Sequence, residues 1–124
     1  MTAVQHPPVR ALLSALSDAV HDKDLEAGSA LFWPEAILTG SSEDELAVDD
    51  RIPYFLSQVF GIGVDIRWDW DEPVVRQHGD VAWFYCEGTL HVTNTKPMAY
   101  RATGVVREVA GEWRFGQWSG AEPA

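Results

Sequence analysis

Basic residues are scarce. Nine lysines and arginines stand against nineteen aspartates and glutamates in 124 residues, a net charge of −10 with histidine neutral. That balance repels phosphate backbones and anionic membrane surfaces. The arginines are also scattered rather than clustered, so neither nucleic acid nor a membrane is an expected partner. A single cysteine, Cys86, rules out an intramolecular disulfide. It lies in an apolar, strand-like run with no histidine placed beside it, the setting of a small buried hydrophobe rather than a nucleophile. The four histidines form no H-x-H, H-E-x-x-H or His/Cys cluster, which argues against a protein-built zinc site. His6 falls in a terminus expected to fray, His21 at a helix end, His78 in a turn and His91 at the end of a strand. No G-x-G-x-x-G, Walker A or G-x-S-x-G sequence occurs, against dinucleotide, P-loop and α/β-hydrolase chemistry, and no cofactor is expected. No apolar run approaches the ~20 residues that cross a bilayer. The opening "MTAVQHPPVRALLSALSDAV" lacks a secretory pattern, so the cytoplasm is the expected compartment.

What is present suits one compact domain over residues 1–124. Hydrophobic residues make up 46% of the chain and six are tryptophans, enough for a real core. Pro7 and Pro8 are placed to start a helix, after which Val9, Leu12, Leu13, Leu16, Ala19 and Val20 recur at helical spacing. Asp24 is a candidate N-cap for a second helix, ended by Pro34. Ala36 to Thr39 reads as a short strand leading into a loop. A third helix follows "DD", capped by Asp49 or Asp50 and terminated at Gly61. Beyond Gly61 the period changes to two, and turns at "HGD", "TNTKP" and "AG" separate successive strands. Helices followed by an antiparallel meander predict an α+β domain with helices on one side of a curved sheet.

The closing hairpin assigns faces. With Ala110 and Gly111 at the turn, Val109 pairs with Glu112 and the register runs outward. One face then holds Tyr100, Ala102, Gly104 and Val106 beside Trp113, Phe115, Gln117 and Ser119. Aromatics among residues with almost no side chain leave concave room, so this face is assigned to the inside. Arg101, Thr103, Val105, Arg107, Arg114 and Trp118 go outside. Continuing the register sends Ala82, Phe84, Cys86, Gly88 and Leu90 inward, and Trp83, Tyr85 and Glu87 outward. A turn at "HG" puts Trp68 and Trp70 outside and Asp69 and Asp71 inside; a single bulge or a three-residue turn reverses that pair. An outer face this aromatic calls for a partner to cover it.

The stretches "GDVAWFYCEGTLHV" and "YRATGVVREVAGEWRFGQWSGAEP" resemble the C-terminal half of a SnoaL-like domain of the nuclear-transport-factor-2-like (NTF2-like) superfamily. "LFWPEAILTGSSEDELAVDDRIPYFL" is similar to that family's succession of short helix, strand, acidic or glycine loop and third helix. The resemblance implies a cone, a bent antiparallel sheet wrapped round helices with a cavity between. It also implies a homodimer through the sheet face, here through Trp68, Trp70, Trp83, Tyr85 and Trp118. Its members include polyketide cyclases, ketosteroid isomerases, epoxide hydrolases, dehydratases and non-catalytic modules, and fold does not choose among them. Many relatives end the last strand with His and, two residues later, Ser. Ser119 and Ala121 occupy those places here, and neither replaces an imidazole as acid or base. No spacing reproduces the Asp–Arg–Asp grouping of the epoxide hydrolases.

Candidate site residues follow. Asp69, two residues from Asp71 on one strand, is the candidate base if that face is the cavity. Against this, charge alternating with tryptophan is ordinary amphipathicity, which the pattern favours. Tyr100 and Gln117 either orient a carbonyl or stabilise an enolate, or satisfy backbone groups in the core. Ser119 points to the cavity with Gln117. Trp33, Phe55 and Phe60 line or fill the space beneath the helices, and Glu45 sits on a loop able to close over it. The expectation is a protein that binds a small apolar molecule, with cofactor-free acid–base chemistry of isomerase, cyclase, dehydratase or hydrolase type if it catalyses a reaction. The alternative is a non-catalytic ligand-binding or dimerisation module.

Overall fold

The computed structural model describes residues 6–40 and 46–122. Within them lie helices α1 (Pro7–Asp22), α2 (Leu25–Ser29) and α3 (Arg51–Phe60), with strands β1 (Phe32–Thr39), β2 (Leu46–Val48), β3 (Ile66–Trp70), β4 (Val74–His78), β5 (Val81–Val92), β6 (Met98–Val109) and β7 (Glu112–Ala121). The order in the sheet is β2-β1-β7-β6-β5-β3, with β4 also on β5. The α+β class expected from the pattern is what forms, with one difference: β1 and β7 run parallel, so the sheet is mixed.

Helix α1 buries the apolar stripe predicted for it, Val9, Leu12, Leu13, Leu16, Ala19 and Val20. Its start is more firmly held than the sequence suggests. His6 is not frayed but buried. Its Nδ1 accepts from the Val9 N–H at 3.2 Å, its Nε2 donates to Gln77 Oε1 at 2.9 Å, and its ring meets Trp113 edge-on at 5.3 Å. The imidazole thereby satisfies one of the orphan amides of a helix N-terminus. Asp24 caps α2 as expected, accepting from the Ala27 N–H at 3.0 Å. The helix ends at Ser29, well before Pro34, which lies inside β1. Pairing between β1 and β7 is interrupted between Phe32 and Ile37, and a proline with no N–H is tolerated at such a break. Asp50 and Gly61 bound α3.

Two one-residue insertions decide which side chains point inward. The β6–β7 turn forms as read, with positive φ at Ala110 and Gly111 and Val109 opposite Glu112. Further along, Val106 pairs with Phe115 but Val105 pairs with Gln117, so Gly116 is an extra residue. Because strand side chains alternate, one extra residue exchanges the faces beyond it. Trp118 therefore turns inward and is buried, and Gln117 is exposed on the outside. The same thing happens between β3 and β4. Trp70 pairs with Gly88 and Val74 with Tyr85, so the three residues Asp71–Pro73 face only Cys86 and Glu87. This extra residue places Trp68 opposite the buried Leu90 and turns Asp69 out. Both corrections have one cause: the alternation holds on each side of the insertion but not across it.

The inward aromatics lie over glycines on neighbouring strands. A Cβ on Gly88 would sit 2.9 Å from the Trp70 ring, one on Gly104 2.8 Å from the Phe84 ring, and one on Gly120 would overlap the Tyr100 hydroxyl. Small residues beside large ones, read in the sequence as room for a ligand, are here largely room for rings. Trp68, Trp70, Tyr100, Trp118, Phe84, Phe115 and Phe32 form a continuous set of ring contacts with centroids 5.2–6.3 Å apart. Such edge and offset contacts add about 0.5–1.5 kcal/mol per pair beyond burial.

Candidate functional site

An apolar cavity of about 370 Å³ remains between the helices and the sheet. Leu16 and Val20 of α1 and Phe55, Leu56 and Val59 of α3 form one side. Ile66, Trp68, Leu90, Val92, Met98, Tyr100 and Trp118 form the sheet side, with Thr39, Gly40, Ile62 and Glu122 completing the wall. Ile62 and Glu122 are exposed, so the cavity opens at their end. Pockets that hold small ligands run from about 300 to 1,000 Å³ and are apolar with a few polar groups; this one falls within that range.

Strand β3 is clasped to α1 at that wall. Ser17 Oγ donates to the Trp68 carbonyl at 2.9 Å and accepts from the Trp68 N–H at 3.0 Å, and Trp70 Nε1 donates to the Leu13 carbonyl at 3.0 Å. The two indoles stack, 5.6 Å apart and 15° from parallel. Trp68 is thus fixed through its backbone by a helix and through its ring by a neighbour. Its own Nε1 is buried with no hydrogen-bond partner.

The residues singled out from the sequence are dispersed. Tyr100 is 8% exposed and lines the cavity, and so does Phe55. Asp69 lies outside, 58% exposed, bonded to Arg67 at 2.7 Å and to His91 Nε2 at 2.9 Å. It borders a separate groove of about 390 Å³ between α1 and β3 with Asp18, His21 and Arg67. Gln117 and Ser119 follow Gly116 to the outer side and do not line the cavity. Trp33 is also elsewhere: its Nε1 donates to the Arg107 carbonyl at 2.9 Å and the Arg114 guanidinium lies 4.7 Å over its ring. Glu45 falls outside the described residues. Among described lining residues the only carboxylate is Glu122. The sequence reading missed Trp68, Trp118 and Glu122, and the signals for them are Pro73 and Gly116, residue types that mark strand irregularities.

Trp68, Trp70 and Trp118 likewise leave the proposed dimer face. Trp83 and Tyr85 remain on it, 48% and 37% exposed, with Val74 paired to Tyr85 and 54% exposed. Cys86 is buried, and its Sγ donates to the Asp71 carbonyl at 3.2 Å. Desolvation first, and the charges of Asp71, Glu72 and Glu87 after it, push its thiol up to about 12. Among the described residues no three His, Cys, Asp or Glu side chains gather to hold a metal, and no helix is long and apolar enough to cross a membrane.

A curved sheet folded over helices, with an apolar cavity between the layers, defines the NTF2-like class. Within it this chain belongs to the SnoaL-like domain family, whose model matches residues 9–123. No curated protein matches the sequence. Among solved structures, a putative dehydratase of the NTF2-like family from Streptomyces avermitilis has a TM-score of 0.84 at 14% identity, over 95% of each chain. An NTF2-like protein of unknown function from Pseudomonas putida has a TM-score of 0.81 at 16% identity, over 93% of this chain and 84% of that one. A putative calcium/calmodulin-dependent protein kinase type II association domain from Thiobacillus denitrificans has a TM-score of 0.81 at 17% identity, over the whole of both chains. At these identities the likeness is one of fold.

Proposed function

We propose that the chain is a binding protein for a small apolar molecule held in the cavity beneath α1 and α3. The observation that carries this is an apolar space of about 370 Å³ walled by fixed aromatic side chains. A site that is already shaped loses less entropy on binding than one that must be ordered. Acid–base catalysis is less well supported. Asp69 points away from the cavity into ion pairs, and Ser119 lies on the outer side of the sheet. The neighbours point both ways, since a putative dehydratase and a putative association domain share the fold.

The test is binding of tetralin, a neutral bicyclic hydrocarbon, followed by ligand-observed NMR. Met98 lines the cavity and is half-buried, so Met98→Trp fills it from the side. Binding to the parent and its loss in Met98→Trp is the expected result. Tetralin that does not bind, or binds both chains equally, rejects the reading.

We infer further that the outer sheet face pairs with a second copy of the chain, and that the protein works in the cytoplasm. Val74, Trp83 and Tyr85 give that face an apolar ridge, and exposed apolar patches of this kind mark association surfaces. Sedimentation should give a dimer at micromolar concentration that Trp83→Arg converts to monomer. A monomeric parent would contradict the inference.

A further inference from the structure

We propose that α3 is the moving wall of the cavity: it undocks as a unit, hinged at Asp49 and Gly63, to admit the ligand, and returns to close on it. The proposal rests on the cavity being a binding site and names the element that lets a molecule into it.

The two helices that line the cavity are held in different ways. Helix α1 is bonded to β3 and to the loop before it. Ser17 bonds both backbone groups of Trp68, Trp70 Nε1 donates to the Leu13 carbonyl, and Lys23 Nζ donates to the Val64 carbonyl at 2.9 Å. Lifting α1 would strip these part-buried polar groups of their partners, which is costly. Helix α3 has no such ties. The Asp49 N–H donates to the Ala36 carbonyl at 3.1 Å, and the Val64 carbonyl is held by Lys23. Between those two points no hydrogen bond or ion pair leaves the segment among the described residues. Its own side-chain contacts of this kind are internal: Ser57 Oγ donates to the Tyr54 carbonyl at 2.6 Å, and the Arg51 guanidinium lies 5.9 Å over the Tyr54 ring. Asp50, at the N-cap, makes no side-chain cap bond.

What holds α3 is apolar contact with α2, β1 and β2, and there is little of it. Of its ten residues only Ile52 and Leu56 are buried, against seven of sixteen in α1; Phe55, Val59 and Phe60 are half-buried. Few buried contacts and no polar cross-links mark the part of a fold that opens first. The ends of the segment suit a hinge, which needs a few element-terminal residues to absorb the change in backbone angles. Asp49 and Gly63 both have positive φ, 53° and 86°, and a Cβ on Gly63 would meet nothing within 4 Å. The segment between them supplies Phe55, Leu56, Val59 and Ile62 to the cavity wall. Ile62 is 65% exposed at the mouth, and a molecule in the cavity gives that side chain a surface to close on.

Hydrogen exchange of the whole chain under native conditions tests the opening. A ten-residue helix is only marginally stable once undocked, so its amides report the event. Amides of residues 56–60 should exchange at least about tenfold faster than those of residues 13–20, and saturating tetralin should slow them. Gly28→Ala tests the gate. A methyl there would lie 3.5 Å from Leu56 Cδ1, 3.7 Å from Phe60 Cζ and 3.6 Å from Ala19 Cβ, all ordinary contact distances, and Gly28 does not line the cavity. One more buried carbon between α2 and α3 should slow both association and dissociation of tetralin about threefold, with the affinity little changed. If tetralin binds while α3 and α1 exchange together, α3 is not a separate unit; the proposal is overturned and the cavity reading stands. If α3 opens but Gly28→Ala leaves both rates alone, the ligand uses the standing mouth and the proposal is wrong. If tetralin does not bind, the cavity reading fails and the gate fails with it. The exchange comparison uses the parent chain, so it decides the opening even where Gly28→Ala does not fold.

Discussion

Gly120→Ala is a one-methyl change that should cost more than its size suggests. Gly120 is buried, and its φ lies outside the left-handed range reserved for glycine. At a position any residue can adopt, glycine to alanine normally stabilises a protein by about 0.4–1 kcal/mol, by restricting the unfolded chain. The added carbon would overlap the Tyr100 hydroxyl and come within 2.9 Å of Tyr100 Cζ and 3.1 Å of Trp118 Nε1. Tyr100 is 8% exposed with Trp68 at 5.6 Å and Trp70 at 5.9 Å, so it can yield only toward the cavity it lines, at the expense of those ring contacts. Overpacking of this kind costs about 1–3 kcal/mol. The net effect is a loss of about 1–2 kcal/mol, read as a fall in urea midpoint at unchanged slope. At roughly 4 °C per kcal/mol for a chain of this length, the melting temperature should drop by about 4–8 °C. Gly116→Ala on the same strand is the control, because its methyl would meet nothing nearer than the Val105 carbonyl at 3.8 Å; it should be close to neutral. Shortening the ring should relieve the strain, so Tyr100→Leu with Gly120→Ala should cost less than the two single changes added together, by about 1 kcal/mol or more. If Gly120→Ala melts with the parent, or the two changes add, Tyr100 is not wedged against Gly120 and the packing argument is refuted.

Other expectations are more compact. His6→Ala removes the side-chain cap of α1 and the bond to Gln77, and should cost about 0.5–2 kcal/mol in urea denaturation; a loss near zero would mean the cap is decorative. Asp69→Asn disturbs only exposed ion pairs, so stability should change by less than about 1 kcal/mol and tetralin binding not at all; a weakened ligand would place Asp69 at the site after all. The Cys86 thiol, raised from 9.0 to about 12 in the fold, ionises first in the unfolded chain. Its contribution is present below pH 9 and is lost as pH rises toward 12, so Cys86→Ala should flatten part of the alkaline decline, and the native thiol should resist iodoacetamide until the chain unfolds. An alkaline profile unchanged by the substitution would show that other groups carry it.

How much of this was legible in the sequence depends on distance from a turn. The stripe of α1, the Asp24 cap and the Ala110-Gly111 turn could be read because each rests on a local rule. The near half of the last hairpin, through Val106 and Phe115, keeps the predicted faces. The far half does not, since Gly116 adds a residue that no periodicity argument counts, and Gln117, Trp118 and Ser119 exchange sides together. Pro73 marks the equivalent step beside β3, and Asp69 and Trp68 trade places there. Both markers were visible, but a glycine or proline in a strand signals irregularity without saying whether the phase shifts. Tyr100 was placed correctly because it lies on the uninterrupted strand. Its packing against Gly120 needed the neighbouring strand's true phase, and the unpartnered Trp68 indole needed coordinates.

The Gly116 insertion has a meaning in terms of inheritance. Side chains on either side of it keep independent phase: losing its codon would leave Phe115, Gln117 and Trp118 opposite Val106, Val105 and Gly104 with Trp118 still inside, whereas drawing Gly116 into the ladder would carry Trp118 out and bring Gln117 and Ser119 in, with the hairpin turn untouched. Substitutions alter the cavity wall one side chain at a time; a change of pairing at one residue would replace a whole segment of it at once. The wall is therefore inherited as a pairing register as well as a set of residues, and the unpaired residue can be lost without rewriting it.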